Sequence, residues 1–178
     1  METPVLALVI AGAMILAAIF VWAVMRNRRS EELKRRFGSE YDKALDDKGK
    51  RSAAEAELLE RAKRVEALQI HPLSASDRER FIDRWRATQA AFVDNPVNAV
   101  TQASALVDEV MRARGYPVAE FERRAADISV DHARFVENYR EAHAIALAAQ
   151  RGTARTEDLR RATVHYRDLF EDLLETAA

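Results

Sequence analysis

The chain has 178 residues, no cysteine and a formal net charge of −1, with 28 Lys and Arg set against 29 Asp and Glu. Without cysteine there is no disulfide framework, no thiolate nucleophile and no Cys-type zinc site. The balanced charge argues against a general nucleic-acid binder, which carries a basic surplus.

The first element is apolar. Val5–Met25 contains no charged residue and, apart from the Trp22 indole, no strong hydrogen-bonding side chain. As a helix these 21 residues would reach roughly 31 Å, close to the ~30 Å hydrocarbon thickness of a bilayer. Eleven of them are Leu, Ile, Val or Phe, which favours insertion by roughly 3–7 kcal/mol. A cleaved signal peptide fits poorly, because the start is Met-Glu-Thr-Pro rather than basic and the apolar run is too long. A buried core helix with no polar face needs a larger protein around it. Residues 1–25 are therefore predicted to be an N-terminal transmembrane anchor.

Arg26, Arg28, Arg29, Lys34, Arg35 and Arg36 follow, against Glu31 and Glu32. The positive-inside bias then places the C-terminal bulk in the cytoplasm, with one pass through the inner membrane. A bacterial source is suggested by the Arg- and Ala-rich usage. Trp22, Arg26, Arg28 and Arg29 are expected at the membrane interface, where the basic cluster suits anionic lipid. Ala7, Ala11, Ala13 and Ala17 fall at a small-residue spacing that lets two such helices pack closely.

Beyond Met25 the periodicity is helical. Leu33, Phe37, Tyr41 and Leu45 make one stripe, and Asp46–Lys50 reads as a break. Leu58, Ala62, Val65 and Leu68 make the next, with Glu57–Arg61 and Glu60–Arg64 at the i,i+4 spacing of a solvated face. Pro72 ends it. Ser76 and Glu79 fit a capping box ahead of Phe81, Trp85, Thr88 and Phe92. Asn95 and Pro96 open a further helix whose inner face is Val97, Val100, Ser104, Val107 and Met111, closed by Gly115. Phe121, Ala125 and Ile128 mark a short helix. Ser129 or Asp131 can cap the one carrying Phe135, Tyr139, Ala142 and Ala146, and Thr156 caps the last, with Leu159, Ala162, Tyr166, Phe170 and Leu173. No segment alternates with period two, so no sheet is expected.

The expected fold is all-α: a transmembrane helix, a juxtamembrane helix, then a compact bundle of about five helices. The domain division is 1–25 anchor, 26–50 basic juxtamembrane helix and linker, and 51–178 helical bundle. The segments "RFGSEYDKAL", "FVDNPVNAV", "RGYPVAEFE", "SVDHARFVENYREAH" and "TEDLRRATVHYRDLF" resemble an uncharacterised bacterial family of small single-pass membrane proteins with a C-terminal all-helical domain. The resemblance implies an architecture and brings no catalytic residue, cofactor or partner.

The chain shows little chemistry by motif. Its five glycines, at 12, 38, 49, 115 and 152, form no phosphate loop or dinucleotide fingerprint, and no nucleophile elbow occurs. None of the four histidines has the spacing of a helical metal site. No metal or cofactor is expected. Paired arginines (Arg84 and Arg86, Arg123 and Arg124, Arg160 and Arg161) with interleaved acids read as solvated surface. The lead expectation is a non-enzymatic, membrane-tethered interaction or scaffold module. Its partners would be the lipid bilayer and an unidentified protein or a copy of itself, and no nucleic acid. The alternative is a small-molecule sensor or enzyme with a polar site in the bundle, built from Asp131, His132, Tyr139 and His143. It predicts a cavity with converging polar side chains.

Overall fold

The computed structural model describes the backbone of residues 2–117 and 119–175, and their side chains except for 2–11 and 13. Among these residues there are eight α-helices and no strand: α1 (Glu2–Phe37), α2 (Ser39–Lys48), α3 (Arg51–Glu66), α4 (Ala75–Ala91), α5 (Pro96–Ala113), α6 (Phe121–Ile128), α7 (Ala133–Gln150) and α8 (Thr156–Glu175).

The fold is all-α, but the expected transmembrane anchor is overturned. Among the described residues no helix is long and apolar enough to cross a membrane. The first half of the expected span, including Ala7, Ala11 and Ala13, lies outside the described side chains. With the span goes the single-pass, inner-membrane, cytoplasm-facing placement drawn from it. Trp22 and Arg26, expected at a membrane interface, form a cation–π pair on exposed helix, the guanidinium 5.3 Å from the ring centroid. Arg28 and Arg29 are likewise exposed on α1.

The last two turns of α1 belong to a packed unit. Leu33 and Phe37 are buried with Tyr41 and Ala44 of α2 and with Ala54, Leu58, Ala62 and Val65 of α3. The four-residue stripe read from the sequence is present, yet it crosses a break. Gly38, at φ 52°, turns the chain between α1 and α2, a conformation that glycine adopts without the Cβ penalty. Val130, from the α6–α7 turn, joins this core.

Helices α4–α8 form the second unit. Its core gathers Phe81 and Trp85 of α4, Val100, Leu106, Val107, Val110 and Met111 of α5, Val136 and Tyr139 of α7, and Tyr166, Phe170 and Leu173 of α8. Each such side chain contributes about 1.5–3 kcal/mol on leaving water. Trp85 stacks on Phe170 with centroids 4.8 Å apart. The buried face of α5 keeps Val100, Val107 and Met111 of the expected stripe and is wider than it. Val97 is exposed, while Ala103, Leu106 and Val110 point inward.

Several boundaries differ by a residue or two, and the reason is which side chain reaches the free amides. Ser74, not Ser76, caps α4, accepting from the Asp77 amide at 3.0 Å. Asn95 caps α5 as expected, accepting from the Asn98 amide at 3.0 Å. At α7 neither Ser129 nor Asp131 is the cap. His132 holds that position without a side-chain bond. Thr156 is the first helical residue of α8 rather than its cap.

Buried ion pairs bolt the two units together. Arg61 does not lie on a solvated face. Its side chain is buried, and it donates from Nη1 to Glu40 at 2.9 Å and to Ser129 at 3.1 Å. Arg140 of α7 reaches the same Glu40 carboxylate at 3.2 and 3.3 Å and also pairs with Glu122. Alongside, Arg64 donates twice to the buried Asp127, at 2.9 and 2.6 Å. Charged groups removed from water are costly unless paired and hydrogen-bonded. Here one carboxylate is shared by two guanidiniums from different helices.

Candidate functional site

The seam between the two units opens into a cleft of about 530 Å³ lined from four directions: Arg36 on α1, Val65 and Glu66 on α3, Leu68 and Ile70 from the α3–α4 connection, and Arg114, Tyr116, Val130, Asp131 and His132 from the second unit. Junctions between packed units are where small-molecule sites tend to form.

The end of α5 builds one wall. Gly115 has φ 100°, which permits a paired closing motif. The Gly115 amide donates to the Arg112 carbonyl at 3.0 Å and the Tyr116 amide to the Met111 carbonyl at 3.0 Å, satisfying the last orphan acceptors of the helix. A Cβ at Gly115 would lie 2.4 Å from the Gln69 carbonyl oxygen, so only glycine permits the α3–α4 connection to approach this closely. The His71 amide donates to the Arg114 carbonyl at 3.0 Å and pins the connection there. Arg114 and Tyr116 are thereby fixed side by side.

Arg114 is 1 % exposed. Its Nη1 donates to the Leu173 carbonyl at 2.8 Å, near the negative end of α8, where a cation is favoured by the helix dipole. Its Nε is buried without a hydrogen-bond partner, and no carboxylate pairs with it among the described residues. A guanidinium stays charged at any physiological pH.

The opposite wall is the α6–α7 turn. His132, 3 % exposed, has its Nδ1 against Asp172 of α8, a carboxylate that also accepts from Arg134 at 2.7 Å. With the proton on Nδ1, the neutral ring keeps a lone pair on Nε2, and that atom is buried without a partner. Asp131 is exposed and accepts a long bond from the Tyr116 hydroxyl at 3.4 Å. Burial first, and the neighbouring Asp131 charge second, push the Tyr116 phenol well above its ordinary range. It is a proton donor at neutral pH.

A carboxylate–imidazole pair with a free Nε2 has the layout of a general base. Among the described residues no serine, threonine or cysteine lines the cleft.

Of the four sequence-predicted site residues, the fold brings Asp131 and His132 to the cleft and sends the other two elsewhere. Tyr139 is buried in the second core, donating to Asp108 at 3.3 Å, and Arg124 pairs with the same carboxylate at 3.2 Å. Burial chiefly raises the Tyr139 phenol far above its usual value. His143 stacks on Phe121 with centroids 3.6 Å apart, and burial followed by the Arg124 charge lowers its proton affinity. Arg114, Tyr116 and Asp172 were missed as site residues. Gly115-Tyr116-Pro117 was visible only as punctuation, and nothing local marks Arg114 or Asp172. Among the described residues no cluster of three or more His, Asp or Glu side chains could hold a metal ion.

A second unusual surface lies on α1. Met14, Ile15, Leu16, Ile19, Phe20, Val21, Trp22 and Met25 are each more than half exposed. Comparison with known proteins found no match to a family model, a curated protein or a solved structure.

Proposed function

We propose that the chain is a non-enzymatic helical interaction module whose two-unit body carries α1 as its assembly element. The observation behind this reading is the run of eight large apolar side chains from Met14 to Met25, each more than half exposed. Their combined surface exceeds the few hundred Å² beyond which an exposed patch marks an interaction site. At roughly 25 cal/mol per Å², its exposure to water is strongly unfavourable.

The partner is a second copy. The stretch has no charged side chain and only the Trp22 indole as a strong hydrogen-bonding group, so it carries no polar code by which to select a different protein. It is apolar around its whole circumference, and an identical helix of equal length matches it along its length. Symmetric pairing repeats each favourable contact.

Sedimentation equilibrium of the full chain in detergent-free buffer tests this, alone and with vesicles of anionic lipid. The expected result is a concentration-dependent oligomer that Phe20→Glu dissociates while leaving helicity unchanged by circular dichroism. A monomer throughout, or a chain that floats with vesicles and does not pair without them, overturns the reading.

A further inference from the structure

We propose that the seam cleft is a binding site for a small oxyanion, a carboxylate or phosphate group, with Arg114 as its principal anchor and Arg36 as a second cation at the rim. The inference is independent of the exposed apolar stretch Met14–Met25 and its partner.

Arg114 carries the argument. It lines the cleft, is 99 % buried by its 1 % exposure, and lacks a carboxylate partner among the described residues. Elsewhere in this protein, deeply placed charges are matched. Arg61 has Glu40 at 2.9 Å, and Asp127 has Arg64 at 2.6 Å. Arg114 has one carbonyl, Leu173, and an Nε–H without an acceptor. A planar guanidinium presents paired N–H groups that match the two oxygens of a carboxylate or phosphate. Buried charge without a counter-charge is costly, and a bound anion relieves that cost.

The rest of the lining fits the same ligand class. Arg36 contributes a half-exposed guanidinium whose contact with Glu66 is loose, at 3.8 Å. The His132 Nε2 is the other buried, unpartnered polar atom of the cleft. Val65, Leu68 and Ile70 supply an apolar floor for a short carbon skeleton. Glu66 and Asp131 add negative charge to the lining, so a bare polyanion is disfavoured and a compact ligand with one or two negative charges is preferred. Because the cleft joins Arg36 of the first unit to Arg114 of the second, a bound oxyanion bridges the units.

The test is a titration of the ¹⁵N-labelled full chain with inorganic phosphate, and separately with succinate, followed through the Arg114 Nε–H resonance. The expected result is a saturable shift of that resonance with at least one probe. Arg36→Gln, a change on exposed surface, should weaken binding about tenfold. Arg114→Met should abolish binding, with the fold checked by circular dichroism. Saturation by phosphate but not succinate identifies a phosphate-bearing ligand, and the reverse a carboxylate. No shift with either probe at tens of millimolar overturns the proposal, as does a shift that Arg36→Gln leaves unchanged and that follows ionic strength alone.

Discussion

Glu40 is the point at which the two helical units are tied, and replacing it gives the sharpest quantitative test of that tie. Its carboxylate is 4 % exposed and accepts from Arg61, itself 9 % exposed, and from Arg140, 18 % exposed. Glu40→Ala leaves two guanidiniums in a poorly hydrated seam without their shared counter-charge. Removing one partner of a buried pair costs about 3–5 kcal/mol, because the remaining charge is stranded. Glu57, Glu122 and the Ser129 hydroxyl remain near the two arginines, so the lower part of that range applies, about 3 kcal/mol. For a chain of this size each kcal/mol moves the midpoint by about 2–4 °C, which gives a fall in Tm of roughly 6–12 °C. Thermal unfolding followed at 222 nm measures it. Adding Arg61→Met and Arg140→Met to Glu40→Ala should recover much of the loss, since apolar replacement of a whole buried ionic cluster is often neutral or better. A single Glu40→Ala that shifts Tm by less than 2 °C would refute the view that the seam is closed by this cluster.

Other consequences follow from particular contacts. Ser74→Ala should cost about 1 kcal/mol in urea unfolding while Ser76→Ala costs little, because only the Ser74 hydroxyl holds the Asp77 amide. Gly115→Ala should destabilise by about 2 kcal/mol or more, since φ of 100° strains any other residue and the new Cβ meets the Gln69 carbonyl at 2.4 Å. An unchanged urea midpoint would contradict the close approach. The folded state binds a proton at His143 less readily than the unfolded chain does, because burial and then Arg124 lower its proton affinity. Its contribution is therefore fully present above the ordinary imidazole range and is lost as pH falls below about 6.5. His143→Phe should flatten that part of the stability–pH curve, and an identical slope would count against the shift.

Much of the helical layout was legible because it depends on local spacing. The Leu33–Phe37–Tyr41 stripe, the Asn95-Pro96 start and the Tyr166–Phe170–Leu173 face all occur where their spacing places them. What spacing misses is set by contacts distant in sequence. Arg61 and Glu57 look like a solvated pair, and they do touch at 3.0 Å. The burial of Arg61 is decided instead by Glu40, 21 residues away, and Ser129, 68 away. Asp131 and His132 were recognisable as polar neighbours, but the residues completing their cleft arrive from α1, α3, the α3–α4 connection and the end of α5. Tyr139 and His143 follow them on α7 without sharing their site, because the helix turns those side chains toward Asp108 and Phe121. The apolar N-terminal run misled in a different way. Its composition suggested a bilayer, whereas among the described residues no helix is long and apolar enough to cross one.

The absence of native cysteine makes one experiment especially direct. A single cysteine at Ala18, on the exposed apolar stretch of α1, should form an intermolecular disulfide rapidly under mild oxidation of the full chain at micromolar concentration. A single cysteine at Ala87, exposed on α4, should not. Efficient cross-linking at Ala18 alone is the result expected if α1 pairs with its counterpart in a second copy. Equal, slow cross-linking at both positions would contradict it.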